Sequence, residues 1–240
     1  MNQPEMKTTV IQYSPTVWAF DQEMVRCFLI LGSERALLLD TGASPCDLPA
    51  MIREITDLPV TVANTHGDGD HTANNNLFPA VYIHPDDAPL LHSHFGEPQP
   101  VTCAVLPLAD GRIFDLGGRQ LEVIHVPGHT AGSCCFLDRA NRLLFAGDTV
   151  QRDSVFLFGS HRVTEKYAAA LEKLQTFSAD IERIFPCHGP CPVDADTIPA
   201  LLHCFNEAVA GHLEPQQPDR PMPGDTPPVL YSLDGCSVLL

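Results

Sequence analysis

The segment Thr65-His66-Gly67-Asp68-Gly69-Asp70-His71 carries four metal-binding side chains in six residues, immediately after the apolar run Leu58 to Ala63. Imidazole nitrogens and carboxylate oxygens hold Zn²⁺ at about 2.0–2.2 Å. The glycines permit a tight loop in which residues 66 and 68 share one direction. Residues 70 and 71 then open the next element and turn toward a second point. Such a loop suits two metals about 3.5–4 Å apart. Three later pieces have the same character: Pro127-Gly128-His129-Thr130, Phe145-Ala146-Gly147-Asp148 and Pro186-Cys187-His188-Gly189. Each sets a histidine or an aspartate where an apolar run stops, which is where α/β sheets carry their functional groups.

The elements that must position these residues are legible as short strands alternating with helices. Val25 to Leu31 and Ala36 to Leu39 form a hairpin pattern around Gly32-Ser33-Glu34, ending at Asp40-Thr41. Asp47 to Thr56 has helical spacing, Leu58 to Ala63 and Ala80 to Ile83 read as strands, and His84-Pro85 opens a helix through Leu91. Cys135 to Thr149 repeats the theme of Cys27 to Thr41, an apolar strand, a polar turn, an apolar strand and then Asp-Thr, as a weak internal duplication. Gln120 to Val126 and Ile181 to Phe185 are strands. Thr164 is placed to cap a helix whose inner face is Tyr167, Leu171 and Leu174. A last helix starts near Asp196 or Thr197. Residues 214–228 hold six prolines and form an arm, followed by a C-terminal hairpin, 229–240, around Asp234-Gly235. These alternations predict α/β layers on one core and a single domain over 1–240.

Composition narrows the function. The 240 residues carry 14 Lys plus Arg against 30 Asp plus Glu, a net charge of −16. That field repels phosphate backbones, and no basic run exists to build a nucleic-acid surface. No apolar stretch approaches the ~20 residues of a membrane span. The opening residues, 1–7, carry no basic-then-apolar signal segment, and the nine cysteines include no Cys-x-x-Cys pair. The expectation is a cytoplasmic protein with reduced thiols and a small-molecule substrate, without nucleic-acid or membrane partners.

The ordered set of motifs resembles the metallo-β-lactamase superfamily of metallohydrolases. The resemblance rests on His66-x-Asp68-x-Asp70-His71, His129 in Pro-Gly-His-Thr, Asp148 after glycine and His188 before glycine, over about residues 25–190. It implies a four-layer αββα sandwich with a dinuclear site at one edge of the paired sheets. His66, Asp68 and His129 would hold the first metal, Asp70, His71 and His188 the second, and Asp148 would bridge them. A shared water, deprotonated near neutral pH, would be the nucleophile. Asp70 would also pass a proton to the leaving group. Asp40 would orient a ligand histidine through its other ring nitrogen, a turn-stabilising role being the alternative. His161 and Arg162, after the apolar run Val155 to Phe158, are candidate substrate contacts.

One position departs from the family pattern. The usual loop is His-x-His-x-Asp-His, and residue 68 here is Asp. As a ligand, Asp68 gives three carboxylates and a hydroxide against two divalent ions, a neutral cluster and a weaker Lewis acid. Harder oxygen ligation moves the preference from zinc toward iron or manganese. The resemblance implies a hydrolase acting on a small ester, thioester or lactone. Exported β-lactamases, RNA-processing members and glyoxalase II fit less well, the last because residues 190–213 contain no Lys or Arg. Two alternatives remain: a flavodiiron-like protein reducing oxygen or nitric oxide, and a metal-binding protein without catalysis.

Overall fold

Residues 7–94, 96–218 and 227–240 are described by a computed structural model. Residues 1–6 and the stretch 219–226 of the expected proline-rich arm lie outside the described residues. The chain divides into two compact units, Met1–Val123 and Ile124–Leu240.

In the first unit the apolar runs become β1 (Thr9–Ser14), β2 (Val17–Asp21), β3 (Arg26–Leu31) and β4 (Ala36–Leu39), paired in antiparallel order. All four residues of β4 are buried, the pattern of a strand covered on both faces. The chain then crosses over through α1 (Leu48–Arg53) to β5 (Val60–Ala63), which lies parallel to β4. Asp47 caps α1 by accepting a hydrogen bond from the Ala50 amide at 3.0 Å. The four-residue α2 (Gly69–Thr72) follows, and β6 (Ala80–Ile83) extends the sheet. Two short strands, β7 (Ser93–His94) and β8 (Glu97–Pro98), form a separate ribbon. Next come β9 (Ala104–Pro107), at the sheet's far edge, β10 (Ile113–Asp115) and β11 (Gln120–His125), within which the unit ends. The core is Phe20, Leu29, Leu38, Leu48, Ile52, Val62 and their neighbours.

In the second unit β12 (Cys134–Asp138) and β13 (Leu143–Gly147) form a hairpin. β14 (Ser154–Phe156) and α3 (Tyr167–Gln175) precede β15 (Arg183–Pro186), which lies parallel to β13. The edge strand β16 (Val193–Asp194) leads into α4 (Thr197–Val209). The C-terminal strands β17 (Leu230–Leu233) and β18 (Cys236–Leu239) turn at Asp234-Gly235, both with positive φ, as a two-residue hairpin turn requires. β18 pairs with β14 in parallel. Tyr167, Leu171 and Leu174 are buried on the inner face of α3, as their spacing predicts.

Two local expectations fail. The helix expected from His84 to Leu91 is only a 3₁₀ turn, Ala88–His92, because Pro85 and Pro89 remove two amide donors from a short segment. Thr164 does not cap α3. Its hydroxyl donates to the Leu157 carbonyl while residues 164–166 form a 3₁₀ turn, and Lys166 holds the cap position. Among the described residues no helix is long and apolar enough to cross a membrane.

Candidate metal centre

The first unit contributes a loop and a short helix at the end of β5. Asp40, which ends β4 with φ +64°, is fully buried. Its Oδ1 accepts the Thr65 amide at 2.7 Å, and its Oδ2 accepts the Thr65 hydroxyl at 2.8 Å and stands 2.9 Å from His71 Nδ1. The Thr65 hydroxyl has one proton and gives it to Asp40. It therefore accepts at its contact with His66 Nδ1, 3.0 Å away. Both histidines thus carry their proton on Nδ1 and present the Nε2 lone pair. His66 Nε2 faces Asp68 Oδ2 at 3.7 Å, His71 Nε2 faces Asp70 Oδ2 at 3.7 Å, and the two rings lie 4.0 Å apart.

These separations fit two ligands of a common ion. They are too long for hydrogen bonds, and two atoms at 2.0–2.2 Å from a tetrahedral ion sit about 3.3–3.6 Å apart. A lone pair turned toward a carboxylate is repelled unless a cation lies between them. Asp68 stands at the cap position of α2, yet its side chain makes no capping hydrogen bond.

The second unit has the same donor chemistry. His129 Nδ1 donates to the Phe156 carbonyl at 2.7 Å, and its Nε2 faces Asp148 Oδ2 at 3.6 Å. His188 Nε2 lies 3.1 Å from the same oxygen. The ends of β13 and β15 are tied by the Cys187 amide donating to the Gly147 carbonyl at 3.1 Å, which sets the spacing of Asp148 and His188. His125 stays in β11 with Nε2 against the Ala131 carbonyl at 2.8 Å. His161 is exposed and Arg162 half-buried in the loop before α3. That loop is anchored beside the His129 turn by the Val163 amide, which donates to the Gly128 carbonyl at 3.0 Å.

Several supporting residues escaped the sequence reading. A Cβ at Gly67 would meet Leu90 Cβ at 2.7 Å and the Asp87 carbonyl at 2.8 Å, so that glycine serves close packing. Buried Asp87 also accepts the Gly67 amide at 2.9 Å. The His71 carbonyl accepts from the Thr41 amide and from Asn64 Nδ2, and Asn75 joins Thr41 and Asn64. The run Asn74-Asn75-Asn76 was the available signal. In the second unit Tyr167 packs against Gly128, where a Cβ would meet its ring at 2.7 Å. Its hydroxyl donates to the Thr149 carbonyl at 2.8 Å. One buried tyrosine thus braces the turns of both His129 and Asp148, and burial pushes its own ionisation well above the usual range.

The profile of the Metallo-beta-lactamase superfamily matches residues 21–188. An acyl-coenzyme A thioesterase, MBLAC2, of Gallus gallus is 28% identical over 198 residues, 67% of this chain and 71% of that protein. An atrochrysone carboxyl ACP thioesterase, nsrC, of Aspergillus novofumigatus is 25% identical over 187 residues, 73% of this chain and 52% of that protein. Among solved structures, TTHA1623 in a di-iron-bound form superposes with a TM-score of 0.60 at 27% identity, over 72% of this chain and 91% of that one. The α/β fold is the αββα sandwich that the motifs imply.

Proposed function

This chain belongs to the metallo-beta-lactamase superfamily, and from that premise we propose that it is a hydrolase of small acyl thioesters working with two divalent metal ions. The observation that carries the metal reading is the shared arrangement of His66, His71 and His129. Each gives its Nδ1 proton to a protein oxygen and turns Nε2 toward an aspartate at 3.6–3.7 Å. In the proposed set His66, Asp68 and His129 would hold one ion and Asp70, His71 and His188 the other, with Asp148 shared. Zinc is the proposed metal. Asp68 brings iron and manganese into competition, and the di-iron-bound neighbour is in keeping with that.

When bound, the ions supply an acidic water and a positive focus for the developing oxyanion. Asp70, a carboxylate beside a cation and hence a weak base, would take the proton of the attacking water and pass it to the leaving group only inefficiently. A thiolate with a parent pKa of about 8.5 needs little such help, whereas an alkoxide needs much more. The near-neutral charge of a cluster with three carboxylates points the same way, to an activated acyl group. Esters and lactones are the less favoured substrates of the same site. His161 and Arg162 are the proposed substrate contacts. The nine cysteines, none of them in a disulfide, accord with a reducing compartment, and we place the protein in the cytoplasm. The thioesterase relatives do not favour the oxygen- or nitric-oxide-reducing alternative.

The test is reconstitution of the full chain with zinc, iron and manganese, with metal content measured beside thiol release from acyl thioesters. Two ions per chain and metal-dependent release are expected, and near-zero stoichiometry with all three metals overturns the reading. The variant Asp68→His should keep two ions and gain preference for zinc. A rise from one ion in the wild type to two in the variant would show that Asp68 is no ligand.

A further inference from the structure

Resting on the thioester reading above, we propose that the thiol half of the substrate is small and free of nucleotide phosphates, so that coenzyme A thioesters are poor substrates. The net charge of −16 sets a field that opposes a polyanion. Recognition of a pyrophosphate and a ribose phosphate calls for arginine forks or lysines directed at the ligand. Of the ten arginines among the described residues, six contact protein oxygens. Arg26, Arg139, Arg142, Arg152 and Arg183 each face a carboxylate, those of Asp21, Asp180, Glu182, Asp196 and Asp194. Arg119 places its guanidinium on the Thr16 and Leu31 carbonyls at 3.1 and 3.2 Å. In the segment before α3 the positive groups are Arg162, a proposed substrate contact, and exposed Lys166, fewer than three phosphates call for.

The test compares the metal-loaded enzyme on hexanoyl thioesters of coenzyme A and of N-acetylcysteamine, as salt rises from about 0.02 to about 0.3 M. The neutral thioester should have a kcat/KM at least about tenfold higher at low salt, and the gap should narrow with salt as repulsion is screened. A coenzyme A thioester turned over as well or better at low salt overturns the inference and leaves the thioester reading standing. If neither thioester is cleaved while an aryl ester is, the thioester reading fails and takes this inference with it.

A separate observation concerns the C-terminal hairpin, which lies outside the residues 21–188 that match the superfamily profile. The carbonyl that takes the His129 Nδ1 proton belongs to Phe156, on β14. β14 pairs in parallel with β18, Phe156 opposite Leu239, and the Leu157 amide donates to the Leu239 carbonyl at 2.9 Å. Ser154 and Ser237 hydroxyls meet at 2.9 Å, and Arg152 Nη1 donates to the Asp234 carbonyl at the hairpin turn. We infer that Leu239 and its strand are positioning elements for His129, fixing the height of the Phe156 carbonyl and so the direction of the Nε2 lone pair.

The measurement is stepwise zinc affinity of the full-length protein by chelator competition, with thermal stability recorded alongside. Leu239→Ala should weaken one of the two ions about tenfold, the size of effect seen when an outer partner of a ligand is disturbed. Leu174→Ala, an equally buried leucine in α3, should lose comparable stability and keep both affinities. An equal affinity change in both variants, or none in Leu239→Ala, overturns the inference. Should Leu239→Ala fail to fold, Leu239→Val takes its place, and an unchanged affinity there overturns it equally.

Discussion

Asp40 and Asp148 stand at matching points of the duplicated pattern, each after a strand hairpin, each before threonine, each followed by a helical crossover to a parallel strand. Their surroundings differ. Asp40 itself adopts the left-handed conformation, φ +64°, and its carboxylate is fully buried among the Thr65 amide, the Thr65 hydroxyl and His71 Nδ1. In the second unit Gly147 takes the left-handed turn, φ +54°, one residue earlier. Asp148 therefore leaves the strand in another direction and meets the Nε2 atoms of His129 and His188. Glycine adopts such a φ without cost, whereas aspartate does so only under local hydrogen bonding. A one-residue shift of the turn separates a carboxylate that holds a histidine by its Nδ1 from one that faces two histidine Nε2 atoms and is the proposed shared ligand.

Two substitutions sharpen that difference. Asp148→Ala should abolish thioester hydrolysis, by more than about a hundredfold, and lower metal content, while the melting temperature of the metal-free protein stays close to wild type. Asp40→Asn should do the converse in part. Its amide would turn a donor toward the Thr65 hydroxyl and His71 Nδ1, so His71 would be driven to carry its proton on Nε2. Metal affinity should fall about 10–100-fold. The metal-free protein should lose about 2–3 kcal/mol, roughly 5 °C or more in Tm. Calorimetry of both metal-free variants is the decisive measurement, and an equal Tm loss in the two would erase the distinction.

The proposed donor residues could be picked out in the sequence because their segments follow apolar runs and nearly all of them sit beside glycine, a local pattern. The strands around them were legible for the same reason. What holds the donors was not. Tyr167 reads as one of three core positions in α3, and only the packed structure shows its ring on Gly128 and its hydroxyl on Thr149. Asp87, Asn64 and Asn75 act through contacts with residues 7 to 34 positions away. The misread His84 to Leu91 segment failed because apolar spacing outweighed two prolines that the backbone could not ignore.

Tyr167→Phe is the next smaller effect. Removing the hydroxyl leaves the buried Thr149 carbonyl without its donor, at a cost of about 1–2 kcal/mol, or roughly 3–5 °C in Tm. Because the ring still fills the space over Gly128, the His129 turn should hold and activity should fall by less than about fivefold. A loss as large as that of Asp148→Ala would mean that the hydroxyl, not the ring, sets the second half of the site.

The smallest effect concerns Cys135, the counterpart of Cys27 in the duplicated pattern. It is fully buried, its thiol donates to the Ala146 carbonyl on β13, and burial pushes its pKa up to about 12. The folded state therefore keeps the proton that the unfolded chain releases near pH 9. The sign follows: this thiol's contribution is complete below the unfolded pKa and declines as pH rises toward the folded value. Between about pH 9 and 12 the slope is at most roughly 1.4 kcal/mol per pH unit. Cys135→Val fills the same space with an apolar group that does not ionise. Urea unfolding should give the two proteins similar stability at pH 7. The wild type should then lose more stability than the variant as pH is raised from 8 to about 10.5. Parallel alkaline limbs in the two would show that the thiol at 135 reaches solvent before the unit unfolds. The strand pair ending at Asp148 would then be looser than its counterpart ending at Asp40.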